Sequence, residues 1–580
     1  MNLLINNNQE VPFRPLWLYL ALMVLFVASA LPFINPVTPR LNSDVLAFIG
    51  LGLFGWVTHI QWSKVHKEPV VQINALALLA VFWTVWACVQ YITGINTTFF
   101  SYLLVSISYF LGLVLLCIWV DMWVQADRVH QLTQAVMACV LIAGLLEALG
   151  IWMQMLQIQD WLSPWLNMSA SFPRHGGFIS QTNLAATLMV CALVSLVFCF
   201  PSNDEGAAQP SAWRLAAMVF LMLAIYGTNS RTGYLEVLVI SGLLALLRKR
   251  LHVSWVWVAM VVWLMLVIAV GEVIGGSMGL LASQQLQESS DAVKGSSAHR
   301  LRILADMWQL IKAHPFVGVG WRQLQVNGVL TPTIDDPADH AHNLFVQIQV
   351  ELGLPGTLSL LALIAYVLLK NKPWQGLSAE RAAMMCVVIA LLIHSMLEYP
   401  LWHALFLFLF GFAFTLLVGG GHRMRIPVRL LQLACAGWLV LTSWFFIDHQ
   451  NAVGAYQRFG QNRVAQELIE SNKTIWWNKL LFESIFMVNT PVNDNTRALL
   501  RKIAKVNANV FSQTSFVNLP LLEVMIQDRE FEVANQLLRR LCLSLPQTAS
   551  AIQIHLAQSK EPAYSLWLGQ LPPNIKNCSK

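Results

Sequence analysis

Charge is scarce in this chain. Only 11% of its 580 residues are Asp, Glu, Lys or Arg, whereas a soluble globular chain carries roughly a quarter. With 57% hydrophobic residues and a mean hydropathy of +0.58, that shortage excludes a soluble enzyme and predicts an integral membrane protein. The basic residues are scattered between apolar runs and form no patch, so nucleic acid is not an expected partner. No CxxC pair occurs, and there is no GxxxxGK[ST] loop, so ATP hydrolysis is not indicated. No helical HExxH and no regular Ca²⁺ loop is present either. The N-terminus, MNLLINNNQEVPFRP, lacks a short apolar core followed by a small-residue cleavage site, which predicts that the first apolar run is retained as a span. There is no clear repeat period, and no Gly-Ser or Pro-rich linker.

What the chain does have is apolar runs of membrane-crossing length. A spanning helix needs about 20 mostly apolar residues. By that rule candidates lie near 16–34, 44–60, 74–93, 101–120, 133–157, 182–200, 213–228, 233–248, 254–275, 351–369, 382–397, 401–419 and 428–446. The 23 Trp and 29 Phe suit aromatic belts at two interfaces. Cys88, Cys117, Cys139, Cys191, Cys199, Cys386 and Cys435 fall inside these runs, where Cys acts as a small hydrophobe. Lys and Arg in short loops stay in the cytoplasm. One alternating set of connections holds Arg14, Lys64, Lys67, Arg128, Arg214, Arg248, Lys249, Arg250, Lys370, Lys372, Arg381, Arg423, Arg425 and Arg429; the opposite short loops hold only Arg40, Arg174 and Arg231. The N-terminus is therefore expected in the cytoplasm. With an odd number of spans, the loop 276–350 and the tail after Phe446 lie outside, in the periplasm of a Gram-negative cell. The fold class is an all-α polytopic membrane protein with about thirteen transmembrane helices. Its transmembrane catalytic domain would cover 1–446, with one large periplasmic loop. Residues 447–580 would form a periplasmic soluble helical domain, since runs such as 463–468 and 531–541 space apolar residues at helical intervals. Cys542 and Cys578 can pair there if the compartment is oxidising.

Ionisable groups at membrane depth are costly and mark function or a satisfied pair, and here they gather on the outer side. One loop carries Arg174, His175, Gln181 and Asn183, and a short turn holds Arg231 beside Gly233. The large loop has a helix from about Ala298 to Ala313 with Arg300 and Arg302, then His340, His342 and Asn343. A last turn has His394, Glu398, Tyr399 and His403. The cytoplasmic loops show nothing comparable. Arg231 and Arg300 suit a pyrophosphate, because a guanidinium fork donates two hydrogen bonds to one group; the bland alternative is headgroup snorkelling and a solvated face. His342 is the natural proton acceptor, although it and Asn343 also suit a helix cap. Gln181 and Asn183 can hydrogen-bond sugar or phosphate, and Tyr399 can donate to a leaving-group oxygen. Glu398 ranks lower, as a group that orients a partner or pairs with Arg. Asp335, Asp336, Asp339, His340 and His342 have a metal-site composition but no ligand spacing, and Asp-Asp-Pro is common turn chemistry. No metal and no cofactor is assigned.

These stretches also carry a family resemblance. Arg300, His314-Pro315-Phe316-Val317-Gly318-Val319-Gly320-Trp321, His342-Asn343-Leu344-Phe345 and Glu351-Leu352-Gly353-Leu354-Pro355-Gly356 resemble the shared motif of the O-antigen ligase and O-antigen polymerase superfamily. Leu304 departs from it, standing where many members have tryptophan; the spacing to His314-Pro315 anchors Arg300. The run Gly177-Phe178-Ile179-Ser180-Gln181-Thr182-Asn183-Leu184-Ala185, the Glu398-Tyr399-Pro400-Leu401-Trp402 turn and the helical tail look most like the bacterial protein O-oligosaccharyltransferases of the PglL type. The resemblance implies an inner-membrane enzyme that moves a glycan from an undecaprenyl-pyrophosphate carrier to Ser or Thr of a periplasmic or pilin protein, without nucleotide or metal. It gives Gln181, His342 and Tyr399 functional positions and Arg231 and Arg300 the phosphate. Two rivals remain: an O-antigen ligase or polymerase using the same donor, and a transporter or lipid flippase, which would place its ionisable residues nearer the bilayer midplane.

Overall fold

The computed structural model describes residues 15–31, 39–62, 70–96, 100–162, 174–199, 212–251, 300–324, 340–419, 422–459, 515–544 and 546–572, with isolated positions between them. Helices dominate. In chain order they are α1 (Pro15–Leu22, continuing in tighter and wider turns to Ala30), α2 (Pro39–Trp62), α3 (Ala75–Ile92), α4 (Phe100–Gln125), α5 (Val129–Met155), α6 (Thr182–Cys199), α7 (Ala212–Gly227) and α8 (Arg231–Leu251). Then follow α9 (300–313), α10 (Leu344–Ala365), α11 (Ala379–Ser395), α12 (Ala404–Val418), α13 (Val428–Phe459), α14 (Ser515–Gln527), α15 (Phe531–Ser544), α16 (Pro546–Gln558) and α17 (Pro562–Gly569).

A helix covers every segment read as a span except the ninth, 254–275, which lies almost wholly outside the described residues. Among the described residues, 7 helices are long and apolar enough to cross a membrane, judged by length and composition, and Leu16–Ala30, Ala212–Gly227 and Ala404–Val418 are shorter apolar helices. The thirteenth apolar run extends further than expected, as α13 runs on to Phe459. The core is aromatic: Phe54, Trp119, Phe406, Phe408 and Phe412 are fully buried. α5 and α6 pack tightly at Gly144, where a Cβ would collide with Ala192, the small-residue contact that lets membrane helices approach closely.

Two features fix which ends of the helices lie together. A short antiparallel ladder pairs β1 (Val70–Ile73) with β2 (His422–Arg425), Val70 opposite Arg425, so the basic connections before α3 and after α12 share one side. At the other end of α3, the amide of Gln90 donates to the carbonyls of Val317 and Glu351, and its oxygen accepts from Trp321 N–H. The Glu351 carbonyl belongs to a break in α10, where Gly353 has φ 64° and ψ −157°. The segment 316–320 repairs it: Val319 and Gly320 donate to the carbonyls of Val350 and Glu351, and Leu354 N–H donates to Phe316. Gly318 (φ +72°) is required, since a Cβ would lie 2.5 Å from Glu351 O. The tenth span, expected from 351, thus belongs to a longer helix that starts at Leu344 and is interrupted at Gly353.

The helices of the tail bury Leu522, Leu538, Leu541, Ile552 and Trp567 in a core of their own, and Trp567 Nε1 donates to Asn535 at 2.8 Å. Cys542 is in a disulfide. Cys578, the run 463–468 and the loop from 276 to 299 lie outside the described residues.

Candidate active site

The loop before α6 is pinned from beneath. Glu147 on α5 accepts from the N–H groups of Phe178 and Ile179, and Gln154 accepts from Gly177 N–H at 2.8 Å. Gly177 sits at φ +57°, and a Cβ there would run into the Glu147 carboxylate. The anchored loop delivers Gln181 and Asn183 to the start of α6. Gln181 Oε1 accepts from Leu184 N–H at 2.5 Å, which is helix-cap geometry. Asn183 points inward, its Oδ1 accepting from Ser230 Oγ at 2.7 Å and its Nδ2 donating to Glu398 Oε1 at 3.3 Å.

Glu398 is the hub, contrary to the low rank the sequence suggested. It is buried in the turn between α11 and α12. Its Oε1 accepts from Arg300 Nη2 at 2.9 Å, while its Oε2 lies 3.3 Å from His342 Nδ1 and 3.7 Å from His340 Nε2. Burial pushes this carboxyl up. Hydrogen bonds to His340 and His342, and the charges of His342 and Arg300, outweigh it and hold the group well below the usual carboxylate range. Glu398 therefore carries a full negative charge at any physiological pH.

His342 sits at φ +50°, a left-handed conformation rare outside glycine. The residue between the histidines, Ala341, is fully buried and donates its N–H to Gln347 Oε1 at 2.7 Å. Asn343 is the cap of α10, its Oδ1 accepting from Phe345 and Val346 N–H, so the capping role falls to Asn343 and leaves the His342 ring to Glu398. Tyr399 lays its ring 3.7 Å, centroid to centroid, from that of His340. His340, His342, Asn343, Glu398 and Tyr399 all line one small pocket.

Arginines border this carboxylate. Arg174 Nη2 donates to Thr182 Oγ1 at 2.7 Å and reaches Asn183 Oδ1 at 3.4 Å. Burial lowers its pKa; Glu398 opposes that, and Arg231 and Arg300 add to it. Arg231 is not held in a turn, as the sequence suggested. It is the exposed first residue of α8, and Gly233 lies within the helix, where a Cβ would meet Ala186. The structure thus joins His342, Glu398, Arg300 and Asn183 directly and sets Tyr399, Asn343, Gln181 and Arg231 around them.

Arg174 and His340 stood in the outer polar clusters of the sequence without a catalytic role, His340 only within a metal-site composition that was set aside. One turn below Asn183, the buried Thr187 hydroxyl lies 2.8 Å from Glu236 Oε1 and 2.6 Å from His394 Nδ1; a Glu inside an apolar run was the available signal for that cluster. Arg322 stacks its guanidinium 5.5 Å over the Trp402 ring. It borders an apolar cavity of about 510 Å³ that Trp83, Phe110, Ile348, Leu363 and Phe410 also line. Asp335, Asp336 and Asp339 lie outside the described residues.

Known proteins share these stretches. The O-antigen ligase family model matches residues 216–361, which hold Arg231, Arg300 and His342. The model for the C-terminal part of virulence-factor membrane-bound polymerases matches 382–486, with Glu398 and Tyr399. A general O-oligosaccharyltransferase of Acinetobacter baylyi is 24% identical over 504 residues, 81% of this chain and 82% of the relative. With the matched models falling on the two halves of one polar centre, the chain is similar to the O-antigen ligase superfamily and, over most of its length, to a general O-oligosaccharyltransferase.

Proposed function

We propose that this chain is a glycosyltransferase that moves a glycan en bloc from an undecaprenyl-pyrophosphate carrier to Ser or Thr hydroxyls of periplasmic proteins, pilin among them. The observation that carries the reading is the meeting of a polar centre and an apolar cavity. The pocket of His342 and Glu398 and the cavity of about 510 Å³ share Leu344, Leu401 and Trp402 as a common wall. A polyprenyl tail fits the apolar side, and the arginines fit the pyrophosphate at its head. In the bilayer the chain crosses thirteen times, with this face, the large loop and the disulfide-bearing tail in the periplasm of the inner membrane. The joining of the two basic connections on the opposite side by the β1–β2 ladder supports that orientation.

In the reaction, Glu398 holds His342 Nδ1–H, which leaves Nε2 as the base, the orienting logic of a carboxylate–histidine pair. His342 Nε2 takes the proton of the acceptor hydroxyl as its oxygen bonds to the sugar C1. The bond from C1 to the pyrophosphate oxygen breaks, and its electron pair leaves with the phosphate. Arg231, Arg300 and Arg174 stabilise that charge, an effect that can contribute several kcal/mol. Direct displacement inverts the anomeric centre, and product NMR showing retention would exclude it. Gln181 and Asn183 orient the head of the donor, and Tyr399 donates to the leaving oxygen. Neither nucleotide nor metal takes part in this route.

The O-antigen ligase and polymerase descriptions of the matched models favour a second reading in which the acceptor is another glycan or lipid. Glycan analysis of a deletion strain separates the two. Loss of glycan from secreted proteins with unchanged lipopolysaccharide supports protein transfer. Unglycosylated lipid A core or shortened O-antigen, with protein glycans intact, contradicts it.

A further inference from the structure

Three ligand-type atoms converge beside the proton-accepting histidine. His340 Nε2 and His342 Nδ1 are 3.2 Å apart, and Glu398 Oε2 lies 3.3 Å from the second and 3.7 Å from the first. Protons alone do not satisfy this triangle. With both imidazoles donating to Glu398, two N–H groups face each other; with one proton, a lone-pair contact is left on one edge. A single cation satisfies all three. A point equidistant from the atoms lies about 2.0 Å from each, the length of zinc–nitrogen and zinc–carboxylate bonds.

The triangle is also braced as a binding site has to be. Ala341 packs with Ile303, Met307 and Val350, and its bond to Gln347 fixes the backbone between the two histidines. Arg300 occupies Glu398 Oε1 and leaves Oε2 to face the rings. The side chains of His340, His342 and Glu398 are 13%, 18% and 9% exposed. They are sheltered from bulk water yet open to a fourth ligand from the pocket.

We propose that His340, His342 and Glu398 bind a late first-row transition-metal ion, zinc by donor set, and that the bound ion inhibits glycosyl transfer. Two imidazoles and one carboxylate suit zinc and its neighbours, whereas magnesium and calcium take all-oxygen sets. Coordination uses the electron pair of His342 Nδ1, so the proton that Nδ1 carries in the reaction moves to Nε2 and blocks the base, while the ion also takes the Oε2 that would stabilise the protonated ring. Arg174, Arg231 and Arg300 repel a cation, so affinity falls below that of a dedicated structural zinc site and the ion exchanges. Metal binding stands on the geometry alone; inhibition rests on the reading of His342 as the proton acceptor given above.

The test uses the full-length chain, purified in detergent, stripped with EDTA and titrated with Co²⁺ alone. The expected result is one saturating equivalent with visible d–d absorption and no thiolate charge-transfer band, displaced by Zn²⁺. In both His340→Ala and Glu398→Gln the affinity falls roughly tenfold or more, the scale seen even for loss of an outer-shell partner. Circular dichroism and monodisperse elution separate a lost site from a lost fold. Should a variant misfold, protection of His340 and His342 from diethyl pyrocarbonate by Zn²⁺ in the unmutated chain, read by mass spectrometry, decides the matter. No saturable Co²⁺ binding, no such protection, or binding retained in both variants overturns the site. Transfer that proceeds after EDTA and is reversibly stopped by Zn²⁺ supports inhibition. Transfer indifferent to saturating Zn²⁺, or dependent on it, overturns that role. Intact Co²⁺ binding with no transfer under any condition leaves the metal site standing and sinks the glycosyltransferase reading.

Discussion

Glu398→Gln isolates what the buried carboxylate contributes to the reaction. Glutamine keeps the shape and can still accept from Arg300 and Asn183, but it removes the charge 3.3 Å from His342 Nδ1. When His342 takes the acceptor proton, that charge faces an imidazolium. Two unit charges at this separation interact by roughly 5 kcal/mol at an effective dielectric constant of about 20. The pocket is part-open and three arginines surround it, so about 2–3 kcal/mol survives, matching a charge-assisted hydrogen bond. The turnover rate should then fall roughly 30- to 150-fold. The KM for donor should hold or drop, because Arg300 loses its carboxylate partner and is freer for pyrophosphate. The assay is turnover of lipid-linked glycan by the purified chain across donor concentrations. A rate within threefold of the unmutated chain, or a raised KM at unchanged rate, would refute the orienting role of Glu398.

Other perturbations have expected outcomes of their own. Arg300→Ala should lower kcat/KM roughly tenfold, since a half-exposed charged contact is worth little more than 1 kcal/mol after screening; Arg300→Lys should restore only part, for want of the planar fork, and full rescue in the same assay would mean that charge alone matters. Gly353→Ala places a Cβ 2.5 Å from Gly318 N at φ +64° and should cost about 2 kcal/mol or more, read as a lowered melting temperature; an unchanged one would show that the break in α10 relaxes freely. In the tail, burial raises the Glu523 carboxyl to about 7. The folded state thus holds its proton more tightly than the unfolded one, so this stability is fully present below the ordinary carboxylate range and is lost as pH rises through about 7. Hydrogen exchange across 515–569 should be faster at pH 8 than at pH 5 after correction for the intrinsic rate, and Glu523→Gln should flatten the difference.

Much of this was legible in the sequence because apolar length and loop charge are local signals. The helices needed only their own residues, and Arg300, His342 and Glu398 stood out as polar groups beside apolar runs. What sequence could not rank was partnership. Glu398 looked solitary, because the groups that hold it come from positions 183, 300 and 342, each on a different element. The same limit hid His340, whose meaning lies in a distance to Glu398, and the Glu236–Thr187–His394 cluster, assembled from three helices. The reach of α10 was hidden in another way: a span was expected from 351, but the segment 316–320 supplies the backbone partners missing at Gly353, so the helix that starts at Leu344 resumes beyond the break, which is a long-range effect. Arg231 was assigned to a turn on the strength of Gly233, whose smallness instead serves its contact with Ala186.

Mass spectrometry decides whether His342 is the base of a protein glycosyltransferase. Pilin and periplasmic proteins would be compared from cells co-expressing a lipid-linked glycan pathway with the unmutated chain or with His342→Ala, at equal membrane levels of the two. If His342 is that base, Ser or Thr peptides carry a glycan mass increment with the unmutated chain and none with the variant. An undiminished increment in the variant, or no increment on any protein with either chain, would contradict that role.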